Sequence, residues 1–345
     1  MGFNVLQGDV FDMLATLPDD HFDCVVTSPP YWGLRDYGVK GQIGLEPTLA
    51  EHLEVMVRVF AEVHRVLKPT GTCWVNYGDC YATTPNGRSA ADTKAAGGDD
   101  RTFRDKPFST IQGVLKPKDL VMAPNRFAIA MQEWGWWVRS EIIWAKPNPM
   151  PESVTDRPAT AHEKIFMFTK EGRYDYDPQA VRVGRKSDED ANGFRGGSYV
   201  GGKPGVRTAV GNKKTDKQRG HSRRHAGFND SWDDMPKEEQ QSNGRNLRNY
   251  EPAPVQVWEI ATRPFKEAHF ATFPPELVER CLKAGCPSGG KVLDPFGGAG
   301  TTGLVADRLQ MDATLIELNH EYADIAIKRI DSDRGALLEA MEKTT

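Results

Sequence analysis

No stretch of this 345-residue chain reaches the 18 or more consecutive apolar residues that a membrane-spanning helix requires. The amino terminus also lacks the basic-then-apolar pattern of a secretion signal. With a mean hydropathy of -0.56 and 27% charged residues, a soluble, cytoplasmic chain with no membrane partner is expected. Cysteine is scarce: Cys24, Cys73, Cys80, Cys281 and Cys286 are odd in number and never spaced as Cys-x-x-Cys. A disulfide framework and a zinc site are thus unsupported, no metal is expected, and reduced, mostly buried thiols are the simpler reading. Positive charge is also short, since 44 Lys and Arg against 48 Asp and Glu leave a net charge of -4. That average would exclude a polyanionic partner only if charge were evenly spread.

It is not evenly spread. Between Arg182 and Arg224 twelve Lys or Arg face four acids, within a stretch from about 180 to 250 that has no apolar period. Such a segment cannot fold on apolar burial alone, but it suits a phosphate backbone. A second aperiodic stretch, Ala82 to Lys118, is rich in Gly, Asp, Thr and Lys and is expected to be a long mobile loop.

Elsewhere strands and helices alternate. Phe3 to Leu6, Phe22 to Val26, Thr72 to Tyr77, Trp136 to Trp144, Glu163 to Thr169, Lys291 to Asp294 and Ala313 to Glu317 have the patterns of seven strands. Leu49, Leu53, Val57, Phe60, Val63 and Leu67 recur at helical spacing until Lys68-Pro69-Thr70-Gly71 ends the helix. Further helices are expected over Phe11 to Leu17, Pro124 to Trp134, Pro274 to Ala284, Thr301 to Leu309 and Glu321 to Ile330. The alternation implies an α/β fold with a doubly wound, mostly parallel seven-stranded sheet. One domain is expected in two halves, 1–180 and 253–345, around a basic insertion at 181–252.

In such a sheet ligands sit beyond the carboxyl ends of the strands. One end carries Asp294-Pro295-Phe296-Gly297-Gly298-Ala299-Gly300-Thr301-Thr302, where glycines allow close backbone approach at the start of a helix. Glu317 ends the next strand, near the roughly twenty-residue offset at which an acid grips ribose hydroxyls. No Lys precedes Thr301, which disfavours a triphosphate, whereas Gly298, Gly300 and Gly303 satisfy Gly-x-Gly-x-x-Gly and leave a dinucleotide open. Another strand runs into Thr27-Ser28-Pro29-Pro30-Tyr31-Trp32. Alone this is a plain turn; beside a nucleoside site it offers two rigidly held acceptors, the Ser28 hydroxyl and the Pro29 carbonyl, and an aromatic face.

These two runs, in this order with a variable region between them, resemble the beta-type, permuted DNA methyltransferases that modify amino groups with S-adenosylmethionine. The resemblance spans residues 3 to 178 and 255 to 331. It implies that Asp9, Thr272, Phe273, Asp294, Phe296, Gly298, Gly300, Thr301, Thr302 and Glu317 form the cofactor site. Within it, Asp9 would accept from the adenine amine, Glu317 would bind the ribose, and His269 to Pro274 would close over the methionine end. Ser28, Pro29, Pro30 and Tyr31 would be catalytic, with Trp32 adding to the wall around the base.

An exocyclic amine is a weak nucleophile because its lone pair is delocalised into the ring. Acceptors that take its hydrogens aim that lone pair at the methyl group. The base must first leave the helix, and Tyr31 would stack on it. Methylation at ring carbon 5 would need a cysteine nucleophile, commonly in a Pro-Cys pair, and only the reversed Cys286-Pro287 occurs. Direct transfer is therefore expected. Serine at the first motif position resembles the cytosine-N4 branch, with adenine-N6 as the alternative. An RNA or protein-amide methyltransferase, and a DNA-binding protein that has lost catalysis, are the more distant rivals.

Lys146 and Asn148 could touch DNA or belong to a structural turn, and Arg157, His162 and Glu163 are a candidate polar cluster. The implied partners are double-stranded DNA and a cognate restriction endonuclease, with a monomer or homodimer as the assembly. Residues 182–224 are the candidate target-recognition segment. Their deletion should abolish DNA binding while sparing S-adenosylmethionine binding; a mobility-shift assay with undiminished DNA affinity would refute the assignment.

Overall fold

The structure is a computed structural model that describes residues 2–84, 108–178, 180–181, 256–262 and 273–342, with side chains as far as 335. The expectations for the basic insertion, for Thr272 and for positions 85–107 of the long loop fall outside the described residues. Residues 1–181 and 255–345 group into one unit, and 182–254 into another.

In chain order the first unit contains β1 (Phe3–Gln7), α1 (Val10–Ala15), β2 (Phe22–Thr27), α2 (Leu49–Val66), β3 (Leu67–Tyr77), α3 (Ala123–Trp134), β4 (Trp137–Ala145) and β5 (His162–Thr169). It continues with β6 (Val257–Glu259), α4 (Pro275–Gly285), β7 (Lys291–Asp294), α5 (Thr301–Arg308), β8 (Asp312–Glu317) and α6 (His320–Glu342). The strands form one sheet in the order β1-β8-β7-β2-β3-β5-β4-β6. Only β5 runs against its neighbours.

The sheet has eight strands rather than the seven expected. The extra one, β6, is three residues long and pairs in parallel with β4, too short to carry a period of its own. A second difference lies at Lys68 to Gly71. These residues do end α2, but they continue directly as the first half of β3.

Side chains of β2 show how the layers arise. Its burial is complete along its length, as a central parallel strand requires. Val25 faces a core built with α1, α2 and α3 (Leu14, Met56, Phe60, Phe127). Cys24 and Val26 face the opposite core, built with α4 and α5 (Val278, Cys281, Leu304, Val305). The period-two alternation thus separates two helical layers.

Part of the loop read as mobile is ordered. Across the stem Lys118 N donates to the Ala82 carbonyl and Ala82 N to the Asp119 carbonyl, Thr110 is fully buried, and Phe108 packs edge-on against Trp32 at 5.7 Å. The cysteines form no disulfide, and all but the half-buried Cys80 are buried. Among the described residues no helix is long and apolar enough to cross a membrane.

Helix α4 meets the sheet with no room to spare. The Gly285 carbonyl accepts the Thr72 hydroxyl at 2.8 Å, and a Cβ on Gly285 would stand 2.2 Å from Thr72 Oγ1 and 2.6 Å from Trp74 Nε1. Gly285→Ala should therefore destabilise the fold by roughly 1–3 kcal/mol through overpacking. An unchanged midpoint in denaturant unfolding would show that the helix can slide to accommodate the methyl group.

Candidate active site

The carboxyl ends of β1, β8, β7, β2 and β3 lie side by side, and each contributes one piece of a continuous rim. Asp9 follows β1, Glu317 ends β8, the 296–300 loop follows β7, the 28–31 turn follows β2, and Tyr77 ends β3. The antiparallel β5 brings Glu163 to the same edge, where Tyr77 pairs with its neighbour Lys164.

The cofactor side is built on backbone geometry. Gly298 and Gly300 both sit at positive φ, +49° and +76°, where a side chain would be strained. Beside Gly300 the space is also filled, since a Cβ would come within 2.8 Å of Ala326 on α6. In front of Gly298 it is open: the nearest atom to a Cβ there is the Phe296 carbonyl oxygen at 4.0 Å. Glu317 spans the mouth, with Oε2 accepting from Gly298 N and Oε1 from Asn319 N, both at 2.8 Å. Each oxygen keeps a lone pair with which it can accept a ribose hydroxyl. Burial raises the Glu317 carboxyl above its ordinary range. An open glycine loop beside a half-buried carboxylate fits the nucleoside portion of S-adenosylmethionine.

Asp9 stands next to Glu317, because Gly8 N donates to the Glu317 carbonyl at 3.0 Å. Its own carboxylate caps α1, accepting from Phe11 N at 2.8 Å. Phe296 is partly buried against the first core, and Phe273 against the second. Asp294, Thr301 and Thr302 are placed differently from the rest of the expected cofactor set. All three are buried, and their polar atoms are engaged inside the protein. Arg329 donates to Thr301 Oγ1, while Asp294 takes the hydroxyls of Thr302 and Thr27, each at 2.6 Å, and Phe296 N at 3.0 Å. Asp294 and Thr302 therefore hold the loop and the turn in place from behind.

On the catalytic side, the Tyr31 ring lies 5.1 Å from that of Tyr77. Gly78 makes room for it, since a Cβ there would stand 2.6 Å from Tyr31 Cε2. The Tyr31 hydroxyl is 3.3 Å from Ser28 Oγ and donates to Glu163 Oε2 at 3.1 Å. Burial, and then the nearby Glu163 charge, push the phenol well above its ordinary range, so it remains a donor. Behind Tyr77 the buried His52 bridges two groups, with Nδ1 at 2.7 Å from Glu46 Oε2 and Nε2 at 2.7 Å from the Tyr77 hydroxyl.

Trp32 does not line a base wall. It is 1% exposed and donates to the Glu46 carbonyl. Lys146 pairs with Glu163 and covers the Trp144 ring at 4.5 Å, while Asn148 exchanges two bonds with the Thr262 backbone as a structural turn would. Arg157 lies over Tyr81 at 3.7 Å and pairs with Glu152, apart from Glu163. The sequence offers Glu163 only as part of a polar cluster with Arg157 and His162, and Tyr77, His52 and Glu46 carry no motif of their own. Only the place of Tyr77 at a strand end, and the polarity of His52 on the apolar face of α2, could have singled them out.

A nucleoside loop joined at a shared carboxylate to a Ser-Pro-Pro-Tyr turn defines an S-adenosylmethionine-dependent DNA methyltransferase. The chain matches the DNA methylase family of N6 and N4 amino-methyltransferases over residues 22–328 and belongs to it. It is 40% identical to the Type II methyltransferase M.Cfr9I of Citrobacter freundii, across 96% of this chain and 89% of the relative. A DNA modification methylase of Thermus thermophilus, solved in complex with S-adenosyl-L-methionine, is 25% identical with a TM-score of 0.53, over 96% of this chain and 94% of that one. PvuII DNA methyltransferase, described as cytosine-N4-specific, shares the fold with a TM-score of 0.57 at 18% identity, over 98% and 93% of the two chains.

Burial pushes the Asp294 carboxyl up to about 6, against three donated hydrogen bonds that favour the anion. The native state thus holds this proton more tightly than the unfolded chain does. The stabilisation is full below the ordinary aspartate value near 4 and is lost as pH rises through about 6. Asp294→Asn removes that term. The variant's stability relative to the parent should improve by on the order of 3 kcal/mol between about pH 4 and about pH 7. Urea unfolding across this range would measure it, and a difference that stays constant with pH would disprove the assignment.

Proposed function

We propose that this chain transfers a methyl group to the exocyclic N4 amine of cytosine in double-stranded DNA, by base flipping and direct transfer. The observation that carries the reading is the buried bridge Thr27–Asp294–Thr302, which makes the Ser28 turn and the glycine loop neighbours across the β2–β7 pair. S-adenosylmethionine supplies an electrophilic sulfonium methyl group. Phe296, Gly298, Gly300, Asp9 and Phe273 would cradle it, and Glu317 would accept from the ribose. The Ser28 hydroxyl oxygen and the Pro29 carbonyl accept the two amine hydrogens. Pro29 and Pro30 hold both acceptors rigid, and Tyr31 stacks on the extruded base.

Serine, rather than aspartate or asparagine, at position 28 supports cytosine over adenine. The basic segment 182–224 would follow the DNA backbone, with charge rather than apolar burial as its source of affinity. The similarity to Type II methyltransferases supports a role in protecting DNA from a cognate endonuclease.

Incubation with unmodified duplex DNA and labelled cofactor, followed by mass spectrometry of the nucleosides, should yield N4-methylcytosine. N6-methyladenine would reassign the branch, and unlabelled DNA would sink the reading. Ser28→Ala should lower turnover by at least about 10²-fold with unchanged cofactor affinity. Near-normal turnover would remove Ser28 from the chemistry.

A further inference from the structure

Four polar side chains from three strand ends form one line at the rim: Ser28 and Tyr31 after β2, Glu163 on β5 and Lys146 after β4. Ser28 Oγ lies 3.3 Å from the Tyr31 hydroxyl, which lies 3.1 Å from Glu163 Oε2. The Lys146 ammonium occupies the other carboxylate oxygen, Oε1. Glu163 and Lys146 side chains are only 20% and 19% exposed, so the pair is shielded from solvent screening. A lone surface pair would carry little weight.

The chemistry of the groups fixes the sense of this line. A carboxylate can only accept, so the Tyr31 hydrogen points to Glu163. The Tyr31 oxygen is left with lone pairs alone for its other neighbour, and the Ser28 hydrogen must therefore turn toward Tyr31. A hydroxyl has one hydrogen and two lone pairs. With its hydrogen committed to Tyr31, Ser28 can meet the target amine only as an acceptor.

From this we infer that Glu163 is a positioning residue that polarises the serine: the line Ser28–Tyr31–Glu163, anchored by Lys146, keeps Ser28 Oγ from donating to the amine whose lone pair must attack. The inference rests on the methyltransferase reading above and deepens it. A serine hydroxyl is ambivalent, unlike an ionised aspartate, which accepts without help. A chain that carries serine at this position therefore needs something to set its direction, and Glu163 does so without touching the base. The raised phenol value at Tyr31 fits this role, because an ionised tyrosine could not relay the order.

Two near-isosteric variants test it, with steady-state methylation of unmodified duplex DNA of mixed sequence as the readout. Glu163→Gln replaces one acceptor oxygen with a donor and can reverse the line. Tyr31→Phe keeps the aromatic face but cuts the line between Ser28 and Glu163, and it leaves the Glu163–Lys146 pair intact should Glu163→Gln fold poorly. Each should lower kcat by about 10²-fold, with KM for cofactor and for DNA within about twofold of the parent. The double variant should fall no further than the worse single one, because both break the same line.

Wild-type kcat in either variant, or a raised KM with kcat preserved, would overturn the inference and leave the methyltransferase reading standing. A parent protein that labels no DNA at all would overturn that reading, and the inference with it.

Discussion

Everything at this rim depends on one buried carboxylate. Asp294 lies at the end of β7, almost wholly out of solvent, and takes hydroxyls from two directions: Thr27, the last residue of β2, and Thr302, in the first turn of α5. Thr302 Oγ1 also lies 3.2 Å from the Val26 carbonyl oxygen, so the contact brings helix, loop and both strands together. Residues 267 positions apart are thereby held at 2.6 Å. If the bridge loosened, the serine turn and the glycine loop could each remain folded and still fail to face one another. A displacement of about 1 Å between reacting groups can cost orders of magnitude in rate.

The bridge is not an obvious source of stability. A carboxylate that the fold prefers to protonate, yet which is largely ionised near neutral pH, opposes folding there. Apolar residues of similar volume could be more stable, as is common for buried ionic groups. What they could not do is accept three hydrogen bonds at defined angles. The trade of stability for position recurs around Tyr77, where His52 and Glu46 are carried into the interior to brace an aromatic ring against Tyr31.

Most of the fold was legible because its signals are local. Lys291–Asp294 appears with the expected bounds, and the other expected strands differ by one residue at one or both ends, since a buried strand between breakers has few alternatives; β3 is the exception and begins five residues early, at Leu67. The three-residue β6 was not legible, because its existence depends on an open edge of β4 to pair with. The stem at 108–121 was hidden for a similar reason: its order comes from contacts with Trp32 and with the strand ends, not from its own period. For the site, the two motifs announced themselves by residue type and spacing. Asp294, Thr301 and Thr302 belong to such a motif, but only the third dimension reveals that they serve it from behind. Glu163 is the reverse case: the sequence offers it as part of a polar cluster with Arg157 and His162, and only the fold shows that its partner is Tyr31 once β5 brings the two together.

The place where the rim forms is itself a consequence of handedness. From β7 the chain crosses through α5 to β8 on one side, and from β2 it crosses through α2 to β3 on the other. Right-handed crossovers leading in opposite directions must put their helices on opposite faces, which is where the two cores place α5 and α2. Between β7 and β2 the loops diverge and a crevice opens, as in other doubly wound sheets. The order of these units along the chain is irrelevant to that geometry. With β1 paired to β8 at the far edge, the amino-terminal strand completes the sheet begun by the carboxyl-terminal ones. A serine turn near one end of the sequence and a glycine loop near the other can therefore share one crevice, provided that a residue such as Asp294 joins them at its floor.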